Sequence, residues 1–166
     1  MEVIIIANNN KHILVKPSSA HEYVQHAGEH SHYFTLNGIT DGPYLSLHAN
    51  GNIRVRCTFF SGVKHGEFKW YHEDGSLYVS CKYKNGAIHG EYEEFWPNNH
   101  RKELTLYRNG IRNGYSHTMN INGTTRTYTH FINGLRHGEY ILCDKAGLQT
   151  NIYVYNMGAL VKAAEN

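Results

Sequence analysis

The chain has 166 residues, a formal net charge of +2 and 13 histidines. That length is one domain by the usual size prior, and so small a net charge excludes a general basic field of the kind that attracts nucleic acid. A repeat array fills most of the sequence and leaves no room for a separate catalytic domain.

In chain order, residues 1–32 come first and read as an N-terminal cap with a degenerate repeat behind it. The apolar runs Val3-Ile4-Ile5-Ile6 and Ile13-Leu14-Val15 flank Asn8-Asn9-Asn10 and predict a capping hairpin. Repeat arrays need atypical ends, because an unpaired terminal strand offers its backbone groups to any other chain. Glu2 stands where an export signal would carry basic residues, and the apolar run is far too short for a signal peptide or a spanning helix. The expected location is the cytoplasm, or the host cytoplasm or virion for a viral chain. Residues 23–36 carry aromatics and Gly28 but miss the phase of the regular repeats. The nearby His21, His26, His30 and His32 match no zinc spacing and read as solvated polar residues.

From residue 33 to 158 the sequence keeps a strict period. Gly38, Gly62, Gly86, Gly110, Gly134 and Gly158 are spaced by 24 (62 minus 38, and so on), and Gly42, Gly66, Gly90, Gly114 and Gly138 stand four residues behind. A period of this length marks stacked supersecondary units, none of which buries its apolar face alone. In the unit beginning at Ser61-Gly62, residues 61–66 read as a turn, 67–71 as a strand, Asp74-Gly75 as a tight turn and 77–83 as the returning strand. The inner turn recurs at Asn50-Gly51, Asn98-Asn99, Asn122-Gly123 and Ala146-Gly147. The outer one recurs at Asn37-Gly38, Asn85-Gly86, Asn109-Gly110 and Asn133-Gly134, with Met157-Gly158 as a weaker copy. Asn-Gly and Asp-Gly pairs suit two-residue hairpin turns, which need positive φ at both central positions.

Two aromatic columns mark the packed face: Phe59, Tyr83, Tyr107, Phe131 and Tyr155, and beside them Tyr44, Phe68, Tyr92 and Tyr140, interrupted by Ser116. Ile53, Val55, Cys57, Leu77, Val79 and Cys81 add apolar side chains at spacing two. Rings of this size dominate the burial available to a thin sheet.

The pattern Asn-Gly-x-x-x-Gly-Glu-Tyr, as in Asn85 to Tyr92 and Asn133 to Tyr140, with an aromatic and an Asp-Gly after it, resembles the MORN repeat (membrane occupation and recognition nexus). The resemblance implies an all-β fold, an elongated twisted antiparallel sheet of about five successive hairpins, with residues 159–166 left as a tail.

No catalytic constellation is expected. His65, His89 and His137 share one column and Glu67, Glu91 and Glu139 another, and column mates stand roughly 10 Å apart per unit, too far to converge on a metal or an acid–base pair. Cys57 and Cys81, also one unit apart, are expected as free thiols. The expectation is therefore no metal, no cofactor and no enzymatic activity.

Binding residues are the remaining candidates. Strict alternation puts Arg54, Arg56, Tyr78, Lys82, Lys102, Arg108 and Arg126 on the face opposite the rings, a candidate anion-binding row for headgroup phosphates, although a solvated sheet face is the favoured reading. Trp70, Tyr71, Phe95 and Trp96 beside the inner turns form a candidate partner surface. Ile152, Val154, Leu160 and Val161 form a candidate dimer interface, because the tail is expected to be too short to pair along a strand and cover a face as well, with a short helical lid as the competing form. These residues together suggest a non-enzymatic scaffold for protein–protein interaction that self-associates as a homodimer. Membrane headgroup binding and antitoxin-like neutralisation of another protein are the alternatives, and nucleic acid is not an expected ligand.

Overall fold

The computed structural model describes residues 2–7, 10–15, 23–27 and 30–165. Asn8, Asn9, His21, Gly28 and Asn166, and the side chain of His26, lie outside the described residues. Every described element is a strand, and no helix is long and apolar enough to cross a membrane.

The chain divides into two compact units, Met1–Ala87 and Ile88–Asn166. In the first, β1 (Glu2–Ala7) and β2 (Asn10–Val15) pair with each other. A separate antiparallel sheet takes β3 (Tyr23–Ala27), β4 (Ser31–Leu36), β5 (Ile39–Leu47), β6 (Ile53–Phe60), β7 (Val63–Tyr71) and β8 (Leu77–Lys84) in chain order. In the second, β9 (Ala87–Phe95), β10 (Arg101–Arg108), β11 (Ile111–Met119), β12 (Thr125–Ile132), β13 (Leu135–Cys143), β14 (Gln149–Asn156) and β15 (Ala159–Glu165) again succeed one another antiparallel.

The outer turns have the expected form. Both central residues take positive φ in all of them, for example Asn85 at 51° with Gly86 at 81°, the left-handed pair whose twist matches that of the flanking strands. Ser61 and Met157 adopt the same conformation at φ 48° and 47°. A left-handed Met is strained, whereas Asn tolerates this region. Met157→Asn is therefore expected to stabilise the fold by about 0.5–1 kcal/mol, read as a raised urea midpoint; an unchanged or lower midpoint contradicts it.

The inner turns differ from expectation. Gly75 N donates to His72 O (3.0 Å) and His72 N to Ser76 O (2.9 Å), closing a three-residue loop in which only Gly75 has positive φ. In the loop after β9, Asn99 at φ 63° stands where glycine stands elsewhere. The Asn or Asp before it accepts a bond from the backbone two residues on, as Asp74 Oδ1 does from Ser76 N at 2.8 Å. A bond from the Ser76 hydroxyl, and after it this backbone bond, hold the Asp74 carboxyl below the usual carboxylate range.

Two bulges per hairpin shape the sheet. In the outgoing strand, Phe59 pairs with Lys64 but Cys57 pairs with Phe68, so His65, Gly66 and Glu67 oppose Thr58 alone. Gly66 therefore lies within β7, not in the turn, and its φ of 79° is the conformation for which glycine is needed. In the returning strand, Ser46 pairs with Val55 and Leu47 with Ile53, leaving Arg54 as the extra residue. Tyr78, Lys102, Arg126 and Thr150 occupy the same bulged position.

Neighbouring hairpins are tied at both ends of the strands. At the outer turns Gly62 N donates to Thr40 O (2.8 Å) and Gly134 N to Arg112 O (2.8 Å). Side chains at the first bulge position add to this: Asp41 accepts from Ser61 N at 2.8 Å, His89 bonds Asn109 Oδ1 at 3.1 Å and Asn113 donates to Asn133 Oδ1 at 3.2 Å. At the inner turns Asn50, Asn98 and Asn122 donate to Glu73 O, Ile121 O and Lys145 O at 2.7, 2.9 and 3.1 Å.

The two ends of the chain depart from expectation. The hairpin β1–β2 forms but does not pair with the sheet; β3 is the edge strand of the first unit. β2 instead lies against β5, and His12 Nε2 donates to Gly51 O at 2.9 Å. Residues 159–165 are neither lid nor loose tail. They form β15, paired with β14 from Asn156↔Ala159 to Asn151↔Glu165, because the Met157-Gly158 turn returns the chain alongside its neighbour.

Candidate binding surface

One line of paired residues crosses the core face. In the first unit it runs Tyr33, Tyr44, Cys57, Phe68, Cys81; in the second it runs Thr105, Ser116, Thr129, Tyr140, Tyr153. The small members are the buried ones, and the rings between them are half-exposed. Thr105 donates to Glu103 Oε1 at 2.7 Å and is bonded to Ser116 at 2.7 Å, which accounts for a serine where the other hairpins have an aromatic. The second ring column stands beside this line, in edge contacts such as Tyr44–Phe59 (5.6 Å), Phe68–Tyr83 (5.5 Å) and Tyr92–Tyr107 (5.9 Å).

Cations that sequence reading passed over cover these rings. Lys64 Nζ sits 4.9 Å from the Phe68 centroid and 5.2 Å from that of Tyr83, Arg112 lies 5.4 Å from Phe131, and Arg136 lies 4.8 Å from Tyr140. They share one phase of the repeat, and that column was the available signal. Arg112 also donates to the Tyr107 hydroxyl at 3.3 Å, which raises the guanidinium pKa further.

The basic row expected on the opposite face is divided. A bulge turns the extra residue toward the core face, so Arg54 lines a groove with Tyr44, Phe68 and Trp70, while Lys102 and Arg126 line one with Trp96 and Tyr140. Tyr78 moves with them, in edge contact with Trp70 at 4.9 Å. Arg56, Lys82 and Arg108 keep the opposite face: Arg56 shares a groove of about 300 Å³ with Pro43, Thr58, Glu67, Lys69 and Tyr71. Lys102 is neutralised at 2.7 Å by Glu94 and lies over Trp96 at 4.9 Å.

Of the aromatic partner surface, Trp70 stays 41% exposed. Tyr71, Phe95 and Trp96 are half-buried, and the Trp96 indole donates to Met119 O at 3.2 Å, an inner-turn tie. Of the C-terminal set, Ile152 and Val154 lie in β14, covered along one edge by β15, whereas Leu160 and Val161 are well exposed on β15.

The groove of the first unit holds about 420 Å³. Its floor includes Val55, Cys57, Phe59 and Ser46. Burial pushes the Cys57 thiol up to about 11, against a smaller opposing pull from Lys64, and Cys81 likewise to about 11. Two consequences are expected. Iodoacetamide at pH 8 should label half-exposed Cys143 well before Cys57 and Cys81, as mass spectrometry would show. Stability should also fall as pH rises from about 9 to about 11, where the unfolded chain loses these thiol protons and the folded chain keeps them. Equal labelling of the three thiols would contradict the burial.

Among the described residues, no three His, Cys, Asp or Glu side chains gather in a way that could hold a metal ion. His89 and His137 instead reach the next outer turn, at Asn109 and Met157 N.

The sequence profile of the family described as MORN repeat variant matches residues 64–85 and 88–109. Repeats of this family are interaction scaffold motifs for proteins and membranes, and the family is a non-catalytic one. No curated protein matches the chain.

Proposed function

We propose, from the premise that this chain is a MORN-repeat protein, that it works as a non-enzymatic scaffold holding a protein partner along its hairpins. The observation that carries this reading is the apolar margin at the outer turns. Ile39, Phe60 and Val63 in the first unit, and Ile111, Leu135 and Met157 in the second, are all exposed, and each falls at or beside a turn, so the repeat presents the same kind of surface again and again. Apolar side chains grouped in this way mark interaction surfaces.

Co-purification from the native source tests the reading. Wild type should retain a protein at fixed stoichiometry, and Phe60→Glu with Leu135→Glu should lose it without lowering the melting temperature, since neither side chain is buried. Retention of the same protein by the folded double variant would refute the reading. Self-association belongs to the same proposal and uses β15, whose outer edge has no strand beside it among the described residues. Pairing with a second β15 would hide both edges and close as a dimer. Light scattering should give a dimer mass for wild type and a monomer mass for Val161→Lys; a monomeric wild type would end this part of the proposal.

A further inference from the structure

Cations recur on the core face at fixed phases of the repeat, and their surroundings differ from hairpin to hairpin. In the second unit Lys102 and Arg112 each have a carboxylate, whereas Arg126 and Arg136, one repeat later, have Thr118 and Thr127 at the acid positions. Lys102 pairs with Glu94, eight residues earlier, at 2.7 Å, and Arg112 approaches Glu103, nine residues earlier, at 3.9 Å. In the first unit the cations remain and the acids are missing. Arg54 stands at the Lys102 position (102 minus 54 is twice 24) and Lys64 at that of Arg112 (112 minus 64 is again twice 24), but Ser46 replaces Glu94 and Val55 replaces Glu103. The registers correspond: Ser46 pairs with Val55 as Glu94 pairs with Glu103.

A second observation points to the same place. Ser46 is 1% exposed, its hydroxyl has no hydrogen-bond partner among the described residues, and it lines the groove. A buried hydroxyl left unpaired is costly unless something completes it. Around it stand Tyr44, Phe59, Phe68 and Trp70, and about 420 Å³ is within the range of small-ligand sites.

We propose that the groove of the first unit binds a carboxylate carried on an apolar body, the acid groups taking the place that Glu94 and Glu103 fill in the second unit. The carboxylate lies toward Arg54 and accepts from the Ser46 hydroxyl, Lys64 supplies the second positive charge, and the apolar body lies against Phe68 and Trp70. Such a group exists both as a free aryl or acyl carboxylic acid and as the C-terminal residue of a peptide. This site is independent of the outer-turn margin, so either reading can fail without the other.

The test is a titration of the full chain monitored by backbone amide NMR. N-acetyl-phenylalanine is the free acid, N-acetyl-phenylalaninamide its neutral counterpart, and a hexapeptide ending in Phe, with or without C-terminal amidation, represents the peptide source. The acid should shift Arg54, Val55 and Trp70 saturably, with the amide at least tenfold weaker. Tighter binding of the free-carboxylate hexapeptide than of the small acid identifies a peptide terminus as the natural occupant, and the reverse order a free acid. Arg54→Gln should lose binding. Val55→Glu, which restores the internal carboxylate beside Lys64, should also lose it while keeping the wild-type amide spectrum elsewhere. Equal shifts from acid and amide, no shift with either, or undiminished binding by folded Arg54→Gln would each overturn the proposal.

Discussion

Replacing Phe131 with Ala is expected to lower the unfolding free energy by about 3–5 kcal/mol, the range for removing a large buried ring. Phe131 is 6% exposed, lies between Gly114 and Arg136 across its two neighbouring strands, and is covered by the Arg112 guanidinium at 5.4 Å. The truncation would therefore leave a cavity and a cation without its ring. Arg126→Ala, five residues earlier on the same strand, serves as the control. Arg126 is exposed, and its loss should cost less than about 0.5 kcal/mol. Urea denaturation compares the two, and equal midpoints would mean that the core lies elsewhere.

Gly114→Ala is the second large effect, at about 2–3 kcal/mol. Gly114 sits at φ 115°, and an added Cβ would stand 2.8 Å from Leu106 Cδ1 and 3.1 Å from Leu106 Cβ. Gly90 has the same place in its hairpin at φ 93°, and a Cβ added there would meet nothing within 4 Å, so Gly90→Ala should cost only the backbone strain, about 1–2 kcal/mol. The difference between the two variants isolates the crowding from Leu106. Equal losses would show that backbone conformation alone decides both.

The hairpins and their outer turns were legible because positive φ leaves a chemical trace. Asn-Gly at Asn85-Gly86 or Asn133-Gly134 is costly almost anywhere else, so its recurrence locates the turn. The faces of the strands were less legible. Strict alternation puts Arg54 beside Arg56 and Lys102 beside Arg108, but a single extra residue at the bulge reverses Arg54, Lys102 and Arg126. Nothing in the local composition announces that residue; it arises from a three-residue inner loop whose strands differ in count. Residues 159–165, Ala-Leu-Val-Lys-Ala-Ala-Glu, have little strand character of their own, and they become β15 through pairing with β14. The candidate carboxylate site was hidden for another reason. Ser46 and Val55 are ordinary residues, and they acquire meaning only beside Glu94 and Glu103 at the same phase.

The ties at the outer turns join a glycine to a carbonyl 22 residues earlier, as Gly62 to Thr40 and Gly134 to Arg112. That offset makes the hairpin a unit of inheritance. Gene duplication that copies one whole period keeps every glycine opposite a carbonyl, so the protein can lengthen in a single mutational event and still fold. Loss or gain of one residue inside a period breaks the offset of the tie that spans it. Selection is thus expected to purge short insertions from the array and to tolerate changes in the number of hairpins, and related genes should differ by multiples of the repeat.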